Sequence, residues 1–375
     1  MLGMRGIPST YGGIERSVEE ISVRLAERGH HVVAYCRTTY CSARPSEYSG
    51  VQLRYLPAVN TKHLEAITHS AVATAAALTR GYDVIHVHGT GPSLFVPVAR
   101  LSRAKVVASV QGLDYRRDKW GRGASLVLRA GAWSAARLPD ATIVVSRELE
   151  RHFRDAYGTS TSYIPNGVNL PHGGVGAPPF GLTPNGYLLF VGRLVPEKAI
   201  DVLLEAYRRV DSDLPLVIAG PTSHSDDYGR KLAALAERDA RVRLVGAVYG
   251  EEKEALFAHA FAFCQPSRLE GLPIALLEAL AHRRCTIASD LPEHLEIIAG
   301  SAAGAFVFRV GDVDDLAAVL RRAVNEPMRV AEAAAVGREI VAQRYGWDGI
   351  VDTIEELYLE LAAGSRPPTV VRAAA

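Results

Sequence analysis

The segment PSRLEGLPIALLEALA, residues 266–281, contains residue types that could bind a phosphorylated sugar. Glu270 and Glu278 flank Gly271 and Pro273. Proline suits the first position of a helix, whose free N–H groups and positive dipole end attract an anion. Gly271 lets the backbone approach a ligand, and carboxylates accept the paired hydroxyls of a sugar or ribose. The segment therefore predicts an anion and sugar site, with a surface helix carrying ordinary glutamates as the alternative.

A second segment, residues 188–207, places two cations after an apolar run. Arg193 and Lys198 follow a predicted strand that ends at Gly192. Fixed cations at the carboxyl end of a strand suit a diphosphate and would stabilise a departing nucleoside diphosphate. The alternative is a solvated turn.

A third segment opens the chain. Gly12 and Gly13 precede a helical run, and a glycine pair at a helix start lets the backbone approach phosphate or sugar. A simple loop is the alternative.

These segments need elements that position them, and short apolar runs alternate with helical segments along the chain. We predict strands over 31–36, 51–58, 83–89, 105–112, 141–146, 187–192, 214–220, 242–246, 262–267 and 286–290, and helices over 15–28, 64–79, 125–136 and 347–362. Apolar strands that alternate with helices indicate an α/β class with parallel sheets covered on both faces.

The Gly- and Pro-rich stretch 169–186 is the predicted linker. It separates a predicted first domain, 1–168, from a second, 187–346. A helix over 347–363 is available to pack back on the first domain, and the tail 364–375 is predicted to be disordered. Since ligands bind outside the carboxyl ends of strands, we expect the three segments to meet at a cleft between the domains.

The composition narrows the classes of partner. The net charge is +1, which gives no reason to expect nucleic acid. The four cysteines form no CxxC pair, so we expect no metal site, with Cys264 and Cys285 as core residues of a protein in a reducing cytosol. No apolar run is long enough to span a membrane, and MLGMRGIPS is not a signal peptide, so we predict a cytoplasmic chain.

In their order and spacing, the three segments resemble the retaining family-4 glycosyltransferases of the GT-B fold, from about Gly3 to Tyr358. The most specific motif is the Glu, seven residues, Glu pattern of 270–278. The resemblance implies two Rossmann-like domains whose parallel sheets face each other across a cleft. GMRGIPSTYGGIE, GLDYRRDKWG and SYIPNGV resemble a bacterial rhamnosyl and exopolysaccharide subgroup.

The resemblance also implies roles. Glu270, Arg193 and Lys198 would be catalytic. Glu270 would contact the donor sugar, Glu278 the ribose, and the two cations the diphosphate. The full implied donor site is Gly12, Gly13, Arg193, Lys198, Glu270, Gly271, Leu272 and Glu278. No metal and no cofactor are implied, only a nucleoside-diphosphate sugar as co-substrate. In Asp312-Val313-Asp314, Asp312 or Asp314 is interpreted as a helix cap.

The implied acceptor side rests on weaker signals. Many relatives have a histidine where this chain has Gln111, which cannot exchange a proton, and Asp114 is a possible substitute hydrogen-bond acceptor. His86 and His88 lie on one face of a strand, where one could line the cleft or both could be buried. We also predict that the chain's start is assigned too late or trimmed, because only Met1 and Leu2 stand where relatives have a full strand.

Residues 114–137 combine six basic residues with two tryptophans. Such a segment is compatible with docking on an anionic membrane that presents a lipid-linked acceptor, and a solvated face or acceptor loop is the alternative.

We therefore expect transfer of one glycosyl unit, with retention, to a saccharide or lipid-linked acceptor in cell-surface polysaccharide or glycoconjugate biosynthesis. A sugar-nucleotide epimerase and a non-catalytic nucleotide-sugar-binding subunit are the alternatives.

Overall fold

The computed structural model describes residues 1–10, 12–41, 43–59, 61, 64–116, 121–171, 173–222 and 227–364. The chain forms two compact units. The first contains Met1–Gly167 together with the segment from Trp347 onward, and the second contains Val168–Gly346. The predicted linker, 169–186, thus clusters with the second unit.

The first unit contains two small sheets. Its strands are β1 (Val33–Arg37), β2 (Glu47–Tyr48), β3 (Val51–Leu56), β4 (Val84–His88), β5 (Lys105–Val110), β6 (Ala141–Val144) and β7 (Ser162–Tyr163). Its first helices are α1 (Gly13–Glu27), α2 (Glu65–Leu78), α3 (Val96–Ala99), α4 (Arg122–Arg137) and α5 (Arg147–Tyr157). The sheet orders are β1-β3-β2 and β4-β5-β6-β7, and all pairs are parallel except β2 with β3.

The first two residues of the chain lie between β1 and β4. Leu2 forms a parallel bridge with Val87 of β4, and the Tyr35 N–H donates to the Met1 carbonyl at 3.0 Å. These contacts join the edges of the two sheets. That further strand residues precede Met1 remains a prediction from the sequence.

The second unit is built on one six-stranded sheet. Its strands are β8 (Leu188–Val191), β9 (Leu216–Ala219), β10 (Val242–Gly246), β11 (Ala262–Gln265), β12 (Cys285–Ser289) and β13 (Val307–Phe308). Its helices are α6 (Ile200–Tyr207), α7 (Asp227–Ala236), α8 (Gly250–His259), α9 (Ile274–Ala281), α10 (Pro292–Ile298), α11 (Val313–Asn325) and α12 (Pro327–Arg344). The order β10-β9-β8-β11-β12-β13 is parallel throughout, so all six carboxyl ends meet at one edge.

The last helix, α13 (Trp347–Ala362), belongs to the first unit. Its apolar face joins the core that α1 and β1 form, and Trp347 is 3% exposed there. The ring of Trp347 lies so close to Gly167 that a Cβ on this glycine would meet it at 2.5 Å. Arg28 of α1 pairs with Glu355 at 2.7 Å and Asp352 at 2.6 Å.

The predicted elements agree with the structure in type and position. All ten predicted strands and all four predicted helices are present, with ends that differ by a few residues. Sequence periodicity missed β2, β7 and β13, because two-residue strands are too short to show a pattern. Cys264 and Cys285 are buried core residues, as predicted. Among the described residues, no helix has both the length and the apolar character needed to cross a bilayer.

Candidate functional site

The carboxyl ends of β8 and β11, neighbours in the second sheet, carry the two strongest sequence motifs. After β8 the chain passes through Gly192 and the half-buried Arg193 into a short 3₁₀ turn, Pro196–Lys198. After β11 the loop 266–273 leads into α9. Parallel pairing of the two strands brings turn and loop to the same edge of the sheet.

Lys198 and Glu270 form an ion pair at this edge. The Lys198 Nζ lies 2.6 Å from Glu270 Oε1. The same oxygen accepts hydrogen bonds from Gln265 Nε2 and Ser267 Oγ, each at 2.6 Å. Three donors on one oxygen hold the carboxylate in a single orientation. All of these side chains are poorly exposed, so they are fixed by packing as well as by charge.

The electrostatic balance keeps Glu270 ionised. Burial acts to raise the pKa of this carboxyl, but the positive charge of Lys198, the electrostatic interaction with the His294 ring, and the hydrogen bonds from Lys198 and Ser267 outweigh it, and the pKa falls below its ordinary value. His294 is fully buried beneath the loop, and its Nδ1 lies 2.9 Å from the Ser289 carbonyl. Burial lowers the pKa of His294 although the Glu270 carboxylate acts in the opposite direction.

A backbone contact also joins the two segments. The Arg268 N–H donates to the Glu197 carbonyl at 2.8 Å. A main-chain hydrogen bond and an ion pair therefore join the turn after β8 to the loop after β11. The prediction that Pro273 is the first helical residue was wrong. Its ψ of 105° is extended, so it stands at the N-cap and α9 begins at Ile274.

Glu278 lies on α9 and pairs with a lysine that the sequence analysis did not select. Lys253 Nζ, on α8, donates to Glu278 Oε1 at 2.7 Å. The two side chains are 24% and 15% exposed, so the pair lies near the surface. Each of the two predicted glutamates thus has a lysine partner, Lys198 for Glu270 and Lys253 for Glu278. Gly271 and Leu272 lie between the two glutamates in the sequence. Gly271 is half-buried and Leu272 is buried.

In the first unit, Gly12 and Gly13 lie at the start of α1. Gly12 has a φ of 106°, a conformation that favours glycine, and a Cβ there would come within 2.1 Å of Glu15 Oε2. Glu15 Oε1 also accepts the Arg5 N–H at 3.2 Å. A carboxylate from the helix itself therefore lies beside the glycine pair in this structure.

The three predicted acceptor residues lie in different environments. His88 is fully buried, burial lowers its pKa to about 3, and neither ring nitrogen has a hydrogen-bond partner within the described ranges. Gln111 is half-buried just after β5. Asp114 Oδ2 accepts a hydrogen bond from the buried Thr90 Oγ1 at 3.0 Å. His88 is thus part of the interior, whereas Gln111 and Asp114 remain partly accessible.

His86 is buried and hydrogen-bonded. Burial was one of the two alternatives that the sequence left open for His86 and His88. Its Nε2 lies 2.6 Å from Ser109 Oγ and its Nδ1 contacts the Tyr358 hydroxyl of α13. Asp312 caps α11, as predicted, by accepting the Asp315 N–H at 2.9 Å. Part of the segment 114–137, residues 117–120, lies outside the described residues.

Sequence reasoning missed five polar residues that contact or surround the predicted ones: Thr90, Lys253, Gln265, Ser267 and His294. Thr90, Gln265 and Ser267 occur at or just after the carboxyl ends of strands, so the rule that ligands bind at those ends could have found them. Lys253 and His294 carry no such signal, because they approach from α8 and α10.

Two family models match the chain. Residues 182–340 match the model described as glycosyl transferases group 1, and residues 11–171 match glycosyltransferase family 4. The two ranges together cover most of the chain and divide it close to the boundary between the two compact units.

Curated relatives match over almost the full length. Glycogen synthase of Mycobacterium tuberculosis is 25% identical over 401 residues, covering 96% of this chain and 94% of the relative. Phosphatidyl-myo-inositol mannosyltransferase of the same species is 26% identical over 382 residues, covering 94% of both. Among solved structures, Anabaena HepE in complex with UDP and glucose has a TM-score of 0.78 at 17% identity, with 93% of this chain and 96% of that chain covered.

The protein is a glycosyltransferase with the GT-B fold. More closely, it belongs to the group 1 and family 4 glycosyltransferases, whose two models match its two halves.

Proposed function

We propose that this glycosyltransferase moves one sugar from a nucleoside-diphosphate donor to a saccharide or lipid-linked acceptor, with retention at the anomeric carbon. The observation that carries the proposal is the Lys198–Glu270 pair at the shared edge of β8 and β11. It brings a cation suited to a phosphate and a carboxylate suited to sugar hydroxyls within 2.6 Å of each other.

The proposed catalysis is electrostatic. Arg193 and Lys198, with the backbone at Gly271 and Leu272, stabilise the charge that develops on the departing diphosphate. Lys198 is already held by Glu270, so it needs little rearrangement when the donor binds. No nucleophilic residue is assigned, since a nearby carboxylate does not by itself imply a covalent intermediate.

The two glutamates bind hydroxyls in this proposal. The three hydrogen bonds to Glu270 all use Oε1. The Oε2 atom is then the oxygen that accepts from a donor-sugar hydroxyl, and the lowered pKa keeps it an acceptor at neutral pH. Glu278, held by Lys253 through Oε1, accepts from the ribose.

The acceptor side is assigned to the first unit, with Gln111 and Asp114 as partly accessible polar groups. The sequence resemblance is the support for including Gly12 and Gly13 among the residues that contact the donor. Retention, and a role in cell-surface polysaccharide or glycoconjugate synthesis, are supported by the sequence resemblance. The named activities of the mycobacterial relatives, glycogen synthesis and phosphatidyl-inositol mannosylation, support the same acceptor classes.

The donor is identified by thermal shift with UDP-, GDP-, ADP- and dTDP-sugars. UDP-glucose comes first, because UDP and glucose are bound in the HepE structure. A ligand at about 100 times its dissociation constant stabilises the folded state by about 2.7 kcal/mol, which a melting curve resolves. No shift with any nucleotide sugar would contradict the proposal.

Variants then test the site. Arg193→Ala and Glu270→Gln are expected to lose most of the shift and most of the turnover, because each removes a proposed donor contact. Lys231→Met is the matched control, since Lys231 is exposed on α7 and pairs with Asp201 at 2.7 Å rather than with either predicted glutamate. Full activity in both site variants would refute the assignment. Conversion of donor to a new sugar nucleotide without acceptor would identify an epimerase instead.

Retention is checked by following the anomeric proton of the first product by NMR. The proposal expects the same anomeric configuration in donor and product, and an inverted product would contradict it.

A further inference from the structure

Helix α4 exposes a stripe of alternating charge and apolar surface. Its outward positions are Arg122, Leu126, Arg129, Trp133 and Arg137, spaced by three or four residues and therefore on one face. Leu126 is 69% exposed and Trp133 is 52% exposed. Leu126 and Trp133 flank Arg129 on this face, so two large apolar side chains and three cations share one surface, unlike apolar residues scattered singly over a protein.

Packing fixes the direction of this stripe. The opposite face of α4 is buried, and a Cβ on Gly131 would meet the Thr90 carbonyl at 2.0 Å. Ser134 Oγ donates to the Ser93 carbonyl at 2.7 Å. The helix therefore cannot rotate to bury Leu126 and Trp133 without losing the contacts of Gly131 and Ser134.

The charge of the stripe is not balanced within the helix. The sequence of α4, RGASLVLRAGAWSAAR, contains three arginines and no acidic residue. The neighbouring α5 differs, because Arg147 pairs with Glu150 and Arg151 with Glu148. Among the described residues, no acidic side chain forms an ion pair with these arginines, although Arg129 lies 4.9 Å from the centre of the Tyr115 ring.

We propose that this face, Arg122, Leu126, Arg129, Trp133 and Arg137, docks the protein on an anionic lipid bilayer. Tryptophan and leucine enter the boundary between headgroups and acyl chains, and the arginines bind lipid phosphates on either side. A nucleic acid would leave Leu126 without a role, and the chain's net charge of +1 gives no general attraction to one. The docking itself needs no sugar donor; only its link to a lipid-linked acceptor rests on the proposed function.

Vesicle co-sedimentation of the full chain tests the proposal. We expect binding at low ionic strength to phosphatidylcholine vesicles that contain one third phosphatidylglycerol, weaker binding at high salt, and little binding to pure phosphatidylcholine. Each arginine near an anionic surface contributes about a fivefold factor. The triple variant R122Q/R129Q/R137Q is therefore expected to bind about 100-fold more weakly.

The matched control is R147Q/R151Q on α5, which removes paired arginines and is expected to bind as wild type does. Trp133→Ser and Leu126→Ser are expected to weaken binding while salt sensitivity remains. Wild-type protein that stays off the anionic vesicles, equal binding to neutral vesicles, or an unaffected triple variant would each overturn the proposal.

Folding of every variant is checked by its melting curve and by its shift with the nucleotide sugar that stabilises wild type. Loss of vesicle binding with an intact donor shift supports docking. Donor shifts that fail in wild type would refute the proposed function without affecting this inference.

Discussion

At the scale of single residues, the candidate site consists of two lysine–glutamate pairs on neighbouring elements. Lys198 holds Glu270 at 2.6 Å and Lys253 holds Glu278 at 2.7 Å. In each pair the lysine binds Oε1, so it both neutralises and orients the carboxylate. Lysine is therefore part of the proposed sugar-binding chemistry as well as of phosphate binding.

Lys253→Met is expected to weaken donor binding about tenfold, because Glu278 loses the cation that orients it for the ribose, a loss of about 1.4 kcal/mol. Turnover at saturating donor should change little, since the ribose is remote from the bond that breaks. Lys253→Arg should recover part of the affinity. Titration calorimetry with the nucleoside diphosphate measures this, with Lys231→Met as control. Unchanged affinity in Lys253→Met would show that the pair is only structural.

Glu270 is expected to make the stability of the second unit depend on acid pH. Its pKa is lowered in the folded state, so the folded protein binds a proton less readily than the unfolded chain. Its stabilising contribution is full above the ordinary carboxyl pKa of about 4.3 and is lost as pH falls through the lowered value. The slope reaches at most about 1.4 kcal/mol per pH unit.

Urea unfolding between neutral and acid pH, followed by circular dichroism, measures this contribution. The difference in unfolding free energy between wild type and Glu270→Gln should be largest at neutral pH and shrink in acid. The exposed Glu332 on α12 provides the control, Glu332→Gln, with a difference that stays near zero. A constant difference for Glu270→Gln would contradict the assigned ion pair.

At the scale of elements, close backbone contacts decide where the loops of the site lie. A Cβ on Gly220, just after β9, would meet the Gly192 carbonyl after β8 at 1.7 Å. The two strand ends can approach because Gly220 lacks a side chain. The turn that carries Arg193 and Lys198 thus begins from a position fixed by the neighbouring strand.

The two glycines of α4 have different surroundings, so their substitution is expected to change stability in opposite directions. Gly131→Ala is expected to destabilise the first unit by about 1–3 kcal/mol, because the new methyl group would overlap the Thr90 carbonyl. Gly123→Ala is expected to stabilise it by up to about 1 kcal/mol, since nothing lies within 4 Å and alanine favours helix.

Tryptophan fluorescence during urea unfolding measures both changes in the stability of the first unit. Trp133 and Trp347 lie in the first unit, and residues 168–346 contain no tryptophan. Equal effects of the two substitutions would show that α4 does not pack as described. The same measurement tests the packing of α4 that sets the exposed face used in the vesicle experiment.

At the scale of the whole molecule, the chain leaves the first unit at Gly167 and returns to it at Trp347. The returning helix α13 completes the core beside α1 and β1. Helix α13 follows α12 of the second unit directly in the sequence, yet its apolar face makes it pack in the first unit. The first unit therefore depends on residues at both ends of the chain.

Two leucines of α13 test this dependence. Leu357 is 6% exposed within the first core, and Leu359 is 56% exposed on the same helix. Leu357→Ala is expected to destabilise the first unit by about 2–5 kcal/mol, and Leu359→Ala by less than about 0.5 kcal/mol. Tryptophan fluorescence reports the unfolding. Similar small losses in both variants would show that α13 does not complete this core.

The sequence by itself determined the α/β class and the positions of its regular elements. A short hydrophobic run such as 187–192 or 262–267 favours a buried strand because it is too short for a helix and is bounded by glycine or proline, and the amphipathic period of 347–362 favours a helix with one buried face. The side-chain types of Glu270, Lys198 and Arg193 likewise indicated their chemistry, because charge and hydrogen-bonding capacity belong to the single residue.

Only the tertiary structure decided which of these groups touch. Lys253 is 25 positions from Glu278, and Lys198 is 72 from Glu270, so no local pattern connects them. His88 has the residue type of a ligand group, yet its strand face is turned into the core. Contacts between elements depend on how whole sheets and helices pack, and that packing is the sum of many weak terms that short sequence windows do not contain.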